Sequence, residues 1–340
     1  MEKPGKIRVL VVDDSLVSRE VIIRGITADP MIEVAAVAGD AFEARDKILQ
    51  VHPDVITCDV EMPRMNGIEF VRRLLPQYFV PVIMVSSISD AVFEALEAGA
   101  IDFVVKPDGQ QQKNEAFFRD LTAKIKMAAD VHLPPRKPGG LNGKVAGNMA
   151  LNANSIIAIG ASTGGTEAIY SILSALPATV PGIVIVQHIP PGFSKMFAER
   201  LNSQTALRVK EAQTGDYVEP GKVFIAPGDQ HMKIKRIGNR YKVECFHGEK
   251  VNGHCPSVDV LFESVASEAG AGAVGILLTG MGYDGARGLL AMRRKGSRTI
   301  GQDKLSSVVY GMPKVAYDLG AVEIQMALGQ IPQALFEMLG

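Results

Sequence analysis

The sequence predicts an α/β protein of two doubly wound, mainly parallel-sheet domains, the second carrying a β-hairpin. Three observations predict it. Short apolar runs alternate with amphipathic stretches over the first 130 residues. A stretch rich in Pro, Gly and Asn, without an apolar period, follows. The alternation then resumes from Ser155. Apolar strands separated by helices favour a parallel sheet covered on both faces.

In the first domain, residues 1–130, strand patterns lie at 7–12, 32–37, 55–58, 80–85 and 103–105. Helical spacing occupies 15–28, 41–50, 67–75, 90–98 and 114–130. Residues 131–154 read as an inter-domain linker, since LPPRKPGGLNGKVAGNMALNAN offers no face to bury. The second domain, 155–340, has strand patterns at 156–160, 183–187, 223–226, 273–278 and 299–301. Its helical patterns are 166–176, 195–202, 258–269 and 286–294. Segments 231–237 and 240–246 flank Gly238-Asn239 and predict the hairpin.

Composition narrows the function classes. Hydrophobic residues make up 47% of the 340-residue chain, enough for two cores. With 36 basic and 37 acidic residues and a net charge of −1, nothing points to nucleic acid or an anionic membrane as a partner. The three cysteines, Cys58, Cys245 and Cys255, form no CxxC and no even framework, which predicts a reducing setting. MEKPGKIRVLVVDD does not read as a signal peptide, and no apolar run approaches the ~18 residues that span a bilayer. A soluble, cytoplasmic protein, not inserted in a membrane, is expected.

Two groups of residues carry chemistry. Asp13 and Asp14 follow the first strand, Asp59 the third, Ser86 the fourth and Lys106 the fifth. In a parallel sheet these positions share the carboxyl edge, where such folds bind ligands. Clustered carboxylates repel one another, and a hard divalent cation such as Mg²⁺ relieves that repulsion. Lys106 and Ser86 add a cation and a hydroxyl able to meet a phosphoryl group. Singly, these acids and hydroxyls also read as helix caps, Asp14 and Ser15 above all.

The second group centres on SIIAIGASTGGTEAIYSIL, in which an apolar strand runs into Gly160-x-Ser162-x-Gly164 and then a helix. Glycines around a serine at such a turn lift the hydroxyl off the sheet edge. A helix cap, or a phosphate-cradling turn, is the alternative. The next strand ends in Gln187-His188 rather than the acid of a dinucleotide site, and there is no GK[ST]. His188, closing that strand, is placed to act as general base toward Ser162. Asp284, in ILLTGMGYDGARG, is placed either to orient the imidazole or to cap the helix that follows. The same Gly-rich loop offers backbone amides, that of Met281 among them, to an oxyanion. The order Ser162, His188, Asp284 is not that of α/β-hydrolases.

The segments VLVVDDS, ITCDVEMPRMNG, PVIMVSS and AGAIDFVVKP resemble response-regulator receiver domains, which have a flavodoxin-like fold. The resemblance implies that Asp59 is the phosphoacceptor and that Asp13, Asp14, Asp59 and the Glu61 backbone carbonyl hold Mg²⁺. It also implies that Ser86 and Lys106 contact the phosphoryl group and that Phe103 repacks on activation. From IAIGASTGG, VIVQHIPPGFS, FIAPGDQHM, PSVDVLFESVA, ILLTGMGYDGARG and VVYGMPKVA, the second domain resembles the Rossmann-like catalytic domain of chemotaxis protein-glutamate methylesterases. That resemblance implies a triad of Ser162, His188 and Asp284, with Met281 and Thr163 at the oxyanion site. It further implies hydrolysis of glutamate γ-methyl esters on methyl-accepting chemoreceptors, deamidation of receptor glutamines, no cofactor for the esterase, and a chemotaxis histidine kinase as phosphodonor. The stretch between Ser86 and Lys106 is shorter than in some members.

Two other readings compete. Cys245, His247, His254 and Cys255 have zinc-ligand chemistry, at a spacing that matches no usual pattern. A phosphorylation-switched binding module would keep the acidic pocket and need no reactive Ser162.

Overall fold

The computed structural model describes residues 5–87, 91–107, 111–131 and 155–339. Contacts divide the chain into two units, Met1–Lys137 and Pro138–Gly340. From residue 132 onward the predicted linker lies outside the described residues, as does Asp90 at the start of a predicted helix.

The first unit alternates β1 (Ile7–Val12), α1 (Leu16–Thr27), β2 (Ile32–Ala38), α2 (Ala41–Val51), β3 (Val55–Asp59) and α3 (Gly67–Leu74). It continues with β4 (Val82–Ser86), α4 (Ala91–Ala98), β5 (Asp102–Val105) and α5 (Gln111–Ala129). The strands pair in parallel in the order β2-β1-β3-β4-β5. Every residue of β3 and β4 is buried, as expected for central strands of a parallel sheet covered on both faces. The fourth strand begins two residues later than the apolar run, after Pro81, which has no N–H to give a ladder. The strand order reverses between β1 and β3, the position at which open α/β sheets hold ligands.

The second unit opens with β6 (Ile156–Ala161), α6 (Gly165–Ala175), β7 (Gly182–Gln187) and α7 (Phe193–Gln204). Three short strands and the two hairpin strands follow: β8 (Arg208–Glu211), β9 (Tyr217–Val218), β10 (Lys222–Ile225), β11 (His231–Ile237) and β12 (Arg240–Phe246). The chain then forms α8 (Val258–Glu268), β13 (Ala273–Leu277), α9 (Ala286–Arg294), β14 (Arg298–Gln302), α10 (Met312–Asp318), β15 (Ile324–Met326) and α11 (Ile331–Leu339). Seven strands form a parallel sheet in the order β15-β14-β13-β6-β7-β10-β8, and β11-β12-β9 form a separate antiparallel sheet.

The predicted hairpin is present. Ile237 faces Arg240 across a turn whose first residue, Gly238, has φ 61°, as a two-residue type II′ turn requires. Elements β8, β9, β15, α10 and α11 lie beyond the predicted set. In the large sheet, strand order reverses between β6 and β13, so a second switch-point crevice opens at the carboxyl ends of β13, β6 and β7.

Candidate active site

Register places the candidate nucleophile and base side by side. Ala161 of β6 pairs with Gln187 of β7, so the next residues, Ser162 and His188, leave the sheet at matched positions. The His188 amide still donates to the Ala161 carbonyl at 3.1 Å. On the other flank the Ser162 amide donates to the Thr279 carbonyl at 3.0 Å, just past β13. The loop carrying Met281 and Asp284 therefore starts against the serine. A Cβ on Gly280 would lie 2.7 Å from the Ser162 Cβ, so only glycine permits this approach.

The turn after Ser162 is tight. Gly164 has φ 76°, a left-handed conformation that glycine adopts without strain, and it is the N-cap of α6 with no side-chain cap bond. Ser162 is thus not the helix cap, and its carbonyl instead accepts from the Gly165 amide (2.7 Å) and Gln187 Nε2 (2.8 Å). Thr279 ties the turn down. Its hydroxyl donates to the Thr163 carbonyl at 2.9 Å and accepts from the Val309 amide at 2.9 Å, while its own amide donates to Gln302 Oε1 at 2.8 Å.

Asp284 is 1% exposed and accepts five hydrogen bonds. Oδ2 takes His188 Nε2 (2.9 Å) and the Val258 amide (2.7 Å). Oδ1 takes Asn252 Nδ2 (2.8 Å), Ser257 Oγ (2.8 Å) and the Asp259 amide (3.3 Å). The sequence left Asp284 as either orienter or cap of the following helix. That helix, α9, is capped by Gly285 without a side-chain bond. Asp284 instead meets the first amides of α8, where the helix dipole favours an anion. Burial pushes its carboxyl up, but the hydrogen bond and charge of His188, with Asn252 and Ser257, outweigh that and hold it well below the usual carboxylate range. An ionised Asp284 keeps the imidazole proton on Nε2. His188 Nδ1 is then the basic nitrogen, and it is buried with no hydrogen-bond partner.

Of the two oxyanion candidates, Met281 has an exposed side chain (47%) in the loop beside Ser162, and Thr163 is buried at 7%. His254, one of the four candidate zinc ligands, stacks on His188 with ring centroids 3.7 Å apart and planes 7° from parallel. Cys245 lies on β12 opposite Met232. Among the described residues the one group of three or more potential metal-ligating side chains close enough to share an ion is Asp13, Asp14 and Asp59, so the zinc reading finds no support.

In the first unit, those three carboxylates offer oxygens within 4.8 Å of one another. Asp13 and Asp59 are buried and Asp14 is exposed. Lys106 Nζ bridges Asp13 Oδ2 (2.8 Å) and Asp59 Oδ2 (2.5 Å). Burial, reinforced by the Asp13 charge, pushes the Asp59 carboxyl up against the pull of Lys106. Asp13 also accepts from Ser18 Oγ (2.6 Å) and the Ser15 amide (2.9 Å). Ser15, not Asp14, is the N-cap of α1. The buried Ser86 ends β4, and its carbonyl accepts from the Lys106 amide at 2.9 Å. Glu61 lies two residues past β3, with its amide 3.4 Å from Asp59 Oδ1. Phe103 is buried, beneath the Lys124 ammonium at 5.4 Å from its ring centroid.

The sequence did not single out Asn252, His254 in this setting, Ser257, Thr279 or Gln187. Two signals were available. Asn252-Gly253 is a strong turn dipeptide, and Ser257 sits in the PSVDVLFESVA segment.

Comparison with known proteins gives the family. The CheB methylesterase family pattern matches residues 157–335, and the response regulator receiver domain pattern matches residues 9–117. A protein-glutamate methylesterase/protein-glutamine glutaminase 2 of Syntrophomonas wolfei is 57% identical over 340 residues, covering 98% of both chains. The corresponding protein of Syntrophotalea carbinolica is 49% identical over 347 residues, covering 99% of this chain and 98% of its own. The crystal structure of the Thermotoga maritima CheB methylesterase catalytic domain superposes with a TM-score of 0.53 at 38% identity, covering 54% of this chain and 98% of that one. With a receiver domain preceding a catalytic domain of matching sequence and fold, this chain belongs to the CheB methylesterase family.

Proposed function

We propose that this chain hydrolyses glutamate γ-methyl esters on methyl-accepting chemoreceptors, releasing methanol, and deamidates receptor glutamines at the same site, under control of Asp59 phosphorylation. One observation carries the reading. Asp284 binds His188 through Nε2 and leaves Nδ1 buried and unpartnered, on a residue that leaves its strand level with Ser162 of the neighbouring strand.

Nδ1 of His188 takes the Ser162 hydroxyl proton as Oγ attacks the ester carbonyl carbon, and the carbonyl π electrons move onto oxygen. Backbone amides of the loop at Met281 and the turn at Thr163 are assigned to that oxyanion. Asp284 stabilises the imidazolium. Collapse of the tetrahedral species expels the methoxy group, which takes the proton from Nδ1 and leaves as methanol. Water then gives a proton to Nδ1 as its oxygen attacks the acyl carbon, the C–O bond to Ser162 breaks as Nδ1 returns that proton to Oγ, and the glutamic acid formed loses its own proton to solvent as it leaves. A glutamine side chain follows the same course with ammonia as the leaving group. No cofactor enters these steps.

In the receiver unit, Asp59 is assigned as the phosphoacceptor. The donor set of Asp13, Asp14 and Asp59 fits a hard cation, since three carboxylate oxygens can reach one point and a single ammonium now offsets two of them. Asp13, Asp14, Asp59 and the Glu61 carbonyl would hold Mg²⁺ there, which would supply positive charge to the phosphoryl oxygens. Lys106 and Ser86 are assigned to phosphoryl contacts, and the phosphodonor is a chemotaxis histidine kinase. Among the described residues no helix is long and apolar enough to cross a membrane, in keeping with action in the cytoplasm. A binding module without chemistry would have no use for the Asp284–His188 pair. The test is covalent labelling by a serine-directed fluorophosphonate. It should modify Ser162 and abolish methanol release in proportion, whereas full activity in the labelled enzyme would overturn the assignment.

A further inference from the structure

His254 reaches the candidate site from the strap between β12 and α8, a segment the triad itself does not use. Val251 and His254 exchange two backbone hydrogen bonds of 3.0 Å across Asn252-Gly253, whose φ values are 53° and 84°. Positive φ at both central residues is the type I′ hairpin turn, a rigid two-residue loop. Two side chains from this one turn enter the site. Asn252 spends both amide protons on carboxylates, donating to Asp259 Oδ2 at 2.7 Å and Asp284 Oδ1 at 2.8 Å. His254 lays its ring on His188 with centroids 3.7 Å apart and planes nearly parallel.

We propose that His254 is a positioning residue for the general base. Its flat ring, fixed by the Val251–His254 turn, keeps the His188 imidazole in the plane that joins Asp284 to Ser162 and excludes water from one imidazole face. This inference rests on the assignment of His188 as general base.

The physical argument is steric and electrostatic. His188 has one anchoring hydrogen bond, at Nε2, and an imidazole held only there can swing about its side-chain torsion and carry Nδ1 away from Ser162. A parallel ring in van der Waals contact removes that freedom. Displacement of about 1 Å in a reacting group can cost on the order of a hundredfold in rate. The charged and titratable groups facing His254 are His188 and Asp284 from other elements and Lys250 from its own strap. Burial, with His188 and Lys250, lowers the His254 imidazole to about 4 although Asp284 pulls the other way, so the stacked ring is neutral at working pH. A cation there would oppose the imidazolium that forms on His188 as Ser162 attacks.

The experiment uses the full chain and two readouts, methanol release from methylated receptor fragments and the rate at which a fluorophosphonate labels Ser162. His254→Ala is expected to lower kcat and the labelling rate about ten- to hundredfold, with KM within threefold. His254→Phe, which keeps a flat ring, should retain both rates within about threefold. If the alanine variant does not fold, His254→Leu, which fills the space without a flat ring, carries the same expectation. Unchanged labelling and kcat in the alanine or leucine variant would overturn the proposal. So would a phenylalanine variant as impaired as alanine. Labelling tests the base independently of substrate, so a wild-type chain that is labelled but releases no methanol would sink the methylesterase reading and leave this one standing.

Discussion

Asp284→Asn keeps the shape of the side chain and removes its charge. The carboxylate now satisfies five donors, three at Oδ1 and two at Oδ2. An amide has one acceptor oxygen and two donor protons. With its oxygen at the Oδ2 position, its NH₂ faces the Asn252 amide and the Asp259 N–H, and only the Ser257 hydroxyl can turn to accept. With its NH₂ at the Oδ2 position, it faces the Val258 N–H and obliges His188 to accept at Nε2. The imidazole proton then moves to Nδ1, the atom that must be bare to act as base. The first arrangement strands two buried donors and the second disables the base. At ~1–3 kcal/mol for each unsatisfied buried group, the two donors stranded in the first arrangement should cost roughly 2–6 kcal/mol of stability. The analogous change in a Ser-His-Asp protease lowers kcat by about 10⁴, equivalent to ~5.5 kcal/mol of transition-state stabilisation. The assay is kcat for methanol release, measured on a variant shown by thermal melting to be folded. A kcat within tenfold of wild type would refute the account of Asp284.

Further outcomes are expected. Asp59→Asn should abolish stimulation by a small-molecule phosphodonor and leave basal methanol release unchanged; a full response would place the acceptor elsewhere. Thr279→Val removes the hydroxyl that joins Thr163 to Val309, so unfolding should be easier by about 1–3 kcal/mol, as read by denaturant midpoint, with a lower kcat. Stability should also depend on pH in a known direction. His254 is held to about 4 in the folded chain against ~6.5 unfolded. Between these values only the unfolded chain binds the proton, so stability is full above ~6.5 and falls toward pH 4, by at most ~1.4 kcal/mol per pH unit. The depressed Asp284 acts in the same direction at lower pH, its contribution being present above ~3.9 and lost as pH falls. From pH 7 to 4 the denaturant midpoint of the wild type should fall further than that of His254→Phe, and parallel curves would contradict the burial of a neutral His254.

Much of the fold was legible because parallel strands buried on both faces must be unbroken apolar runs, as in Ile156–Ala161 and Gly182–Gln187. The elements the sequence did not disclose are those without that demand. At the sheet edge, β8 reads Arg-Val-Lys-Glu with only Val209 buried, and at the opposite edge β15 has three half-buried residues. Helix α10 is short and has proline near its start. The site divides in the same way. Ser162 and His188 end neighbouring apolar strands, so topology alone sets them together. Asp284 was legible as a residue but not in its surroundings, since the helix it meets, α8, precedes it in the chain. The Asn252-to-Ser257 strap is the least legible part, because its contacts depend on where the hairpin arm returns, which no local pattern encodes. Cys245 and His254 are near in sequence, yet one lies on a strand of the small sheet and the other against His188.

The central claim is that Ser162 performs glutamyl ester hydrolysis under the control of Asp59. Its most direct test is methanol release by the full chain from methylated chemoreceptor fragments, with and without a small-molecule phosphodonor and Mg²⁺, alongside Ser162→Ala. The account predicts methanol in step with loss of receptor methyl groups, a higher rate with the phosphodonor, and a loss of several powers of ten in the alanine variant. Near-wild-type release by Ser162→Ala, or a phosphodonor without effect on the wild-type chain, would contradict it.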